Sequence, residues 1–362
     1  MKRLTLLRAQ TVRLDRPLLF ITLGLLIFGL AMVFDASVAD ATRTFQDKFF
    51  YLKRQLIWAI LGAFSMFILS QINYKFWQKA ALWIFIGTII LLVLVLVPGV
   101  GVTALGASRR LNLGFLGLQP GELAKLAVIT FLSTSLVKER SFLKFASPVG
   151  VVSSLILLQP DMGTTVIIAL TSLVIYFASG TPLLHIVGIT ASGLIGSLIL
   201  ALSSSYRKER LMTFLNPHSD PADTSYHVRQ ILIAIGSGGL WGLGLGQSRQ
   251  KHLFLPEPAT DSIFAIIAEE LGFFGGIGII LAFLLLVVRG YQIASRTENP
   301  FGRLLAIGIT SGIAIQAFIN LAAMVALVPL TGIPLPLISY GGSSLFVTLS
   351  GIGILLNIAK RK

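Results

Sequence analysis

The chain has 362 residues, 55% of them hydrophobic and 12% charged, with a mean hydropathy of +0.85; this is far more apolar than an ordinary soluble domain. Its 29 Lys and Arg outweigh 15 Asp and Glu to give a net charge of +14. No cysteine is present, and His185, His218, His227 and His252 are not paired at helical metal-ligand spacing, so disulfides, thiol nucleophiles and a classical zinc site drop out.

Taken in order, residues 1–17 are basic and precede an apolar run. No small-residue cleavage site follows, so they read as a retained cytoplasmic tail rather than a signal peptide. Apolar stretches then recur at about the 20-residue length that crosses a hydrocarbon core of about 30 Å. Ten spans are predicted, over 18–38, 53–71, 78–98, 122–137, 146–160, 162–180, 183–203, 262–289, 303–328 and 338–359. Helices are expected throughout, because a barrel would show short alternating strands. The expected fold class is an all-α integral membrane protein, one polytopic domain over 1–362 with a long loop, 204–261, between the seventh and eighth helices.

Lys and Arg set the expected orientation. With the N-terminus inside, sixteen fall on the inner side and six on the short outer loops, the six in 204–261 counting little because long loops do not govern topology. Both termini are therefore expected in the cytoplasm, and the loop 204–261 and the segments PGVGVTALGASRRLNLGFLGLQPGE and LLQPDMG face outward. An outer surface this basic calls for an anionic partner, lipid headgroups or a lipid-linked phosphate.

Candidate chemistry gathers on that side. Asp261 follows Pro256-Glu257-Pro258-Ala259-Thr260 at the mouth of the eighth span, where capping alone would account for it. Glu269 and Glu270 lie roughly 12 to 14 Å further along the same helix and need partners. Lys125 is read as one such partner. Glu122 sits three residues before it on one helix face, so a local ion pair is the plain alternative to a phosphate anchor shared with Arg109 and Arg110. Asp161, in Gln159-Pro160-Asp161-Met162-Gly163, suits turn formation or N-capping of the sixth span. The runs IGSGG and GLGLGQ lack the strand and the Lys-Ser/Thr of a phosphate loop and signal close backbone packing or a flexible loop. TGIPLPLISYGGSS, with Pro334, Pro336 and Ser339, breaks the chain before the last span and is expected to line a cavity.

These motifs together resemble the SEDS family (shape, elongation, division and sporulation) of RodA/FtsW-like peptidoglycan glycosyltransferases. The likeness runs over most of the chain, through GASRRLNLGFLGLQPGELAKLA, LLQPDMGTT, the stretch from LNPHSDPADTSYHVRQ to EPATDSIFAIIAEELGFFG, and FINLAAMVALVPLTGIPLPLISYGGSS. The spacing around Gly246 leans towards the FtsW side. The resemblance implies a ten-helix protein of the bacterial inner membrane that polymerises lipid II, releasing undecaprenyl pyrophosphate, in elongation or division. It places the family's essential aspartate on Asp261, its motif arginine and lysine on Arg109 and Lys125, and its acidic loop residue on Glu257. Gly121, Arg110, Ala259 and Ser262 depart from the residues the family commonly carries. The implied partners are lipid II, undecaprenyl-diphosphate-linked glycan and a class B penicillin-binding protein, with no nucleic acid.

On this reading Asp261 is the general base of an inverting displacement. Arg109, Lys125, Arg110 and Arg210 face the diphosphate, with room for a divalent cation, magnesium or manganese. Glu257, Glu122, Glu269, Asp161 and Ser339 take supporting roles. A rival reading, a lipid-linked precursor flippase or other transporter, rests on the charges within spans and a weak repeat of Leu96-Val97-Pro98 in Leu327-Val328-Pro329.

Overall fold

The computed structural model describes residues 15–104, 107–113, 116–202, 212, 214, 224–252 and 254–360. Arg210 and most of the tail 1–17 lie outside the described residues, as does 204–223 apart from 212 and 214.

Each of the ten predicted spans coincides with a helix: α1 (Arg16–Phe45), α2 (Phe50–Gln71), α3 (Lys75–Leu96), α4 (Pro120–Lys138), α5 (Phe142–Leu157), α6 (Met162–Ala178), α7 (Leu183–Leu202), α9 (Ile263–Ser295), α10 (Pro300–Met324) and α11 (Gly342–Lys360). An eleventh helix among the described residues, α8 (Thr224–Ser237), lies within what was expected to be loop. Seven of these helices are long and apolar enough to cross a membrane, and α5, α6 and α7 are shorter apolar helices. The protein is a multi-pass helical membrane protein.

Local chemistry fixes several helix ends. Pro300 opens α10 and Asn299 caps it, its Oδ1 accepting from Gly302 N at 3.0 Å. Asp15 caps α1 by accepting from Leu18 N, and the same carboxylate takes Arg289 of α9 at 2.9 Å. The last span starts at Gly342 rather than near 338, because Pro334 and Pro336 and the left-handed Leu337 hold the preceding chain out of helix.

The all-α expectation needs one correction. Residues 101–118 form a three-stranded antiparallel sheet, β1 (Gly101–Ala104), β2 (Ala107–Leu113) and β3 (Leu116–Leu118), in which Leu111 pairs with Gly101 on one side and Leu118 on the other. The strands are too short to register against the hydropathy of the spans.

α11 is the axis of the molecule. Its apolar window is 89% buried, against 22% for α2 and 28% for α3 and α9. Lipid tails are as apolar as leucine, so close backbone approach has to hold such a helix in place. Glycines provide it: a Cβ on Gly353 would meet the Met66 carbonyl of α2 at 2.6 Å, and one on Gly62 would meet Leu349 at 2.7 Å. Ser65 and Ser350 add a hydrogen bond of 2.7 Å across the same seam.

α9 is broken at Gly272, which adopts φ 67° and ψ −164°. In a continuous helix the amides of Phe273 and Phe274 would reach the carbonyls of Glu269 and Glu270. Here they donate to Gly239 O and Leu240 O, while Leu243 N and Gly244 N donate to Glu269 O and Glu270 O, at 2.9 to 3.3 Å. The chain following α8 therefore folds back beside α9 and completes the hydrogen bonds that the break opens.

Candidate functional site

The N-termini of α4, α6 and α9 lie at one end of the bundle, joined by contacts of Gln119 with Asp161, Lys125 with Gln316 of α10, and Asn320 of α10 with Asp261. Each carries an acid: Glu122 in the first turn of α4, Asp161 at the N-cap of α6, and Asp261 just before α9. Helix N-termini concentrate positive partial charge, so this end is suited to anionic groups.

Asp261 is reached through a tight turn. Glu257, exposed between two prolines, takes a left-handed φ of 49°, and its carbonyl accepts from Thr260 N and Ser262 N. A non-glycine residue held there marks strain that the surroundings must sustain. The Thr260 hydroxyl lies 2.9 Å from Glu257 Oε2 and 3.2 Å from Asp261 Oδ1, so its one proton can serve either carboxylate in turn. Asp261 is only 8% exposed. The capping position itself falls one residue later than the sequence suggests, on Ser262.

The wall beside Asp261 is the irregular segment 331–341. Tyr340 N donates to Ala259 O at 2.8 Å, and a Cβ on left-handed Gly332 would come 3.9 Å from Asp261 Oδ2. Asn320 of α10 donates through Nδ2 to both Asp261 O and Ile333 O, each at 2.8 Å. Ser339 serves this wall from within, its Oγ accepting from Leu335 N at 2.8 Å and its carbonyl from Gln55 at 3.1 Å.

Lys125 meets the same wall from the other side. It donates to Gln316 Oε1 at 2.6 Å and pairs with Glu122 at 2.7 Å, Glu122 being buried and Lys125 partly buried. Gln316 in turn donates to Pro334 O at 2.9 Å and Ser344 Oγ at 3.2 Å. Gln316 and Asn320 stand one turn apart on α10, about 6 Å along its axis. Two neutral amides thus hold the acid and the lysine to adjacent carbonyls of one strand of chain. Below Lys125 an apolar crevice between α4, α6 and α10 is lined by Val128, Ile167, Ile168, Thr171 and Gly312.

Strand geometry separates the two arginines. Successive side chains of β2 point to opposite faces; Arg109 is half-buried and Arg110 exposed. Arg109 donates through Nε to Gln159 O at 3.1 Å and through Nη2 to Pro160 O, docking the sheet on the turn that leads into Asp161. Asp161 caps α6 by accepting from Thr164 N at 3.0 Å, and takes Gln119 Nε2 at 3.2 Å.

Lys125 is not the partner of Glu269 and Glu270. Glu269 accepts from the Ser248 hydroxyl and from Arg249 N at 3.0 Å; Glu270 accepts from Gly246 N and Ser248 N at 3.0 Å and from Lys251 at 2.8 Å. Lys251 also meets Asp35 of α1 at 2.8 Å. Burial pulls its ammonium pKa down, but hydrogen bonds to Asp35 and Glu270 overcome this and hold it above the ordinary lysine value. Asp35, Lys251, Gln316 and Asn320 were missed in the sequence, although Asp35, Gln316 and Asn320 each stand out as polar groups inside apolar spans. Among the described residues no group of three or more His, Asp or Glu side chains forms a metal cage.

A sequence profile described as "Cell cycle protein" (FtsW, RodA, SpoVE) matches residues 16–362. The chain is 43% identical to the Stage V sporulation protein E of Bacillus subtilis, over 96% of this chain and 97% of the relative. It is 41% identical to the probable peptidoglycan glycosyltransferase FtsW of Geobacter metallireducens, over 96% and 95%. Its fold matches a chain of a solved peptidoglycan synthase complex, a study of the coordination of polymerization and crosslinking, with TM-score 0.80 and 28% identity over 96% of this chain and 98% of that one.

Proposed function

Since the chain belongs to the FtsW, RodA and SpoVE family of cell cycle proteins and is a SEDS-type peptidoglycan glycosyltransferase of division or elongation, we propose that it polymerises lipid II with Asp261 as general base. The observation that carries this assignment of roles is the pair of α10 amides that holds Asp261 and Lys125 to neighbouring carbonyls of one segment.

In the proposed reaction an acceptor hydroxyl attacks the anomeric carbon of the lipid-linked donor from the face opposite the diphosphate. The new glycosidic bond forms as the bond to the diphosphate breaks, and the configuration inverts. Asp261 takes the hydroxyl proton, and negative charge gathers on the departing undecaprenyl diphosphate. Lys125 faces that charge in a site poor in water, where a preorganised cation is worth most. Glu122 keeps the lysine aligned, Glu257 and Thr260 hold the base, and Asp161 with Arg109 fixes the neighbouring sheet. Asp261 and Glu257 are the residues that would hold a divalent cation, which would supply further neutralisation of the departing diphosphate; magnesium commonly takes one or two carboxylates together with substrate phosphates.

The proposed topology is a single membrane domain over 1–362 with both termini in the cytoplasm and the loop 204–261 outward, so that Asp261 meets substrate outside the inner membrane. Likeness to a chain of a synthase complex supports a class B penicillin-binding protein as partner. The transporter reading has less support, because the deep charges Asp35, Lys251 and Glu270 are paired with one another.

Gel-resolved glycan made by the purified chain from lipid II, with and without its penicillin-binding partner, is the direct test. Asp261→Asn is expected to lower polymerisation at least about a hundredfold at unchanged folding, the scale of a lost general base. Full-length glycan from Asp261→Asn at the wild-type rate would overturn the assignment.

A further inference from the structure

Ser262 occupies the N-cap position of α9, where a serine hydroxyl ordinarily accepts a hydrogen bond from an amide of the first turn. No such bond forms in α9. The hydroxyl lies instead 2.8 Å from Nε2 of His227, in the first turns of α8. Ser262 is fully buried and His227 half-buried. The serine gives up a cap of its own helix to join that helix to another.

This joint sits next to the proposed base. Ser262 N donates to Glu257 O at 3.4 Å and Ser262 O accepts from Ala265 N at 3.0 Å, so the residue connects the strained turn to the helix. Asp261 is held on its carbonyl by Asn320 and near its carboxylate by Thr260. His227 supplies a tie on its C-terminal side. We infer that His227 is a positioning residue for Asp261, acting through the Ser262 hydroxyl; this deepens the glycosyltransferase reading and rests on it. A base must lie within hydrogen-bond reach of the proton it takes, and a displacement of about 1 Å can cost as much as a hundredfold in rate. α8 runs on directly into the segment that completes the α9 break, so the same helix braces α9 at its start and at its break.

The test is steady-state lipid II polymerisation by the full chain with its partner. His227→Ala and Ser262→Ala are each expected to lower kcat about tenfold with KM within about twofold of wild type. The double variant should fall no further than either single one, since both remove one interaction. His227→Gln, whose amide reaches the hydroxyl, should return kcat to within about twofold of wild type. Wild-type kcat in His227→Ala, an equal loss in His227→Gln, or a loss that follows only the folded fraction in a thermal melt would overturn the inference. If wild type makes no glycan, the glycosyltransferase reading fails, and amide hydrogen exchange over 258–264 decides the positioning claim. Faster exchange in His227→Ala and Ser262→Ala but not in His227→Gln supports it, and unchanged exchange overturns it.

Discussion

Two regions of this protein place polar groups among apolar helices, and they do so in opposite ways. At the break in α9, Asp35, Lys251 and Glu270 form a closed set of charges, and Glu269 is taken up by the chain over 248–250. Around Asp261 the scaffold is neutral: Asn320 and Gln316 donate to carbonyls of 331–334, and the charged residues they position face a common wall. Charges are consumed among themselves in the first region; in the second Lys125 pairs with Glu122, while a neutral amide positions Asp261 through its backbone carbonyl.

The largest effect is expected where charges are consumed. Lys251→Met leaves Asp35 and Glu270 without their cation, and should cost about 3–5 kcal/mol, the scale for breaking a buried pair from one side; a melt in detergent should show it. Adding Asp35→Asn and Glu270→Gln to the same chain should recover much of the loss, which would establish that the region is there for packing.

Next comes the backbone of that region. Gly272→Ala places a Cβ at a positive φ of 67° and 2.6 Å from Leu240 O. Strain of this kind costs about 1–3 kcal/mol before any displacement of the neighbouring chain. The melting temperature should fall while Asp261 chemistry survives in the folded fraction.

Smallest in stability, and most telling for the site, is Asn320→Ala. It strips one donor from Asp261 O and from Ile333 O and should cost about 1–3 kcal/mol. Polymerisation should drop more than stability predicts, measured as kcat against the folded fraction. Loss of stability alone would make the neutral scaffold as inert as the charged one.

Much of this was legible in the sequence. Ten apolar runs became ten helices because hydrocarbon length is a strong constraint on composition. Asp161 reads as a cap from its place after Gln159-Pro160, and it is one. The sheet over 101–118 was not legible, because its strands are shorter than any hydropathy window and the alternation that half-buries Arg109 but exposes Arg110 spans only a few residues. The partners of Glu269 and Glu270 were assigned to the wrong cation, since charge counting treats 204–261 as a surface loop and ignores Lys251. What brings that lysine to Asp35 is backbone pairing by glycines, which carries no charge or hydropathy signal.

The exchanged backbone bonds at Gly272 bear on how the chain is made. Residues 238–246 leave the ribosome before α9, so they precede it to the membrane. With no water in the bilayer to satisfy free amides, a spanning segment must begin with its own bonds closed. Without residues 239–244 the break at Gly272 would leave amides of α9 open, so the break is expected to form only once that segment supplies the replacement bonds. The glycine-rich stretch is therefore a splint that the break in α9 requires, and removing either one leaves the backbone groups of the other open.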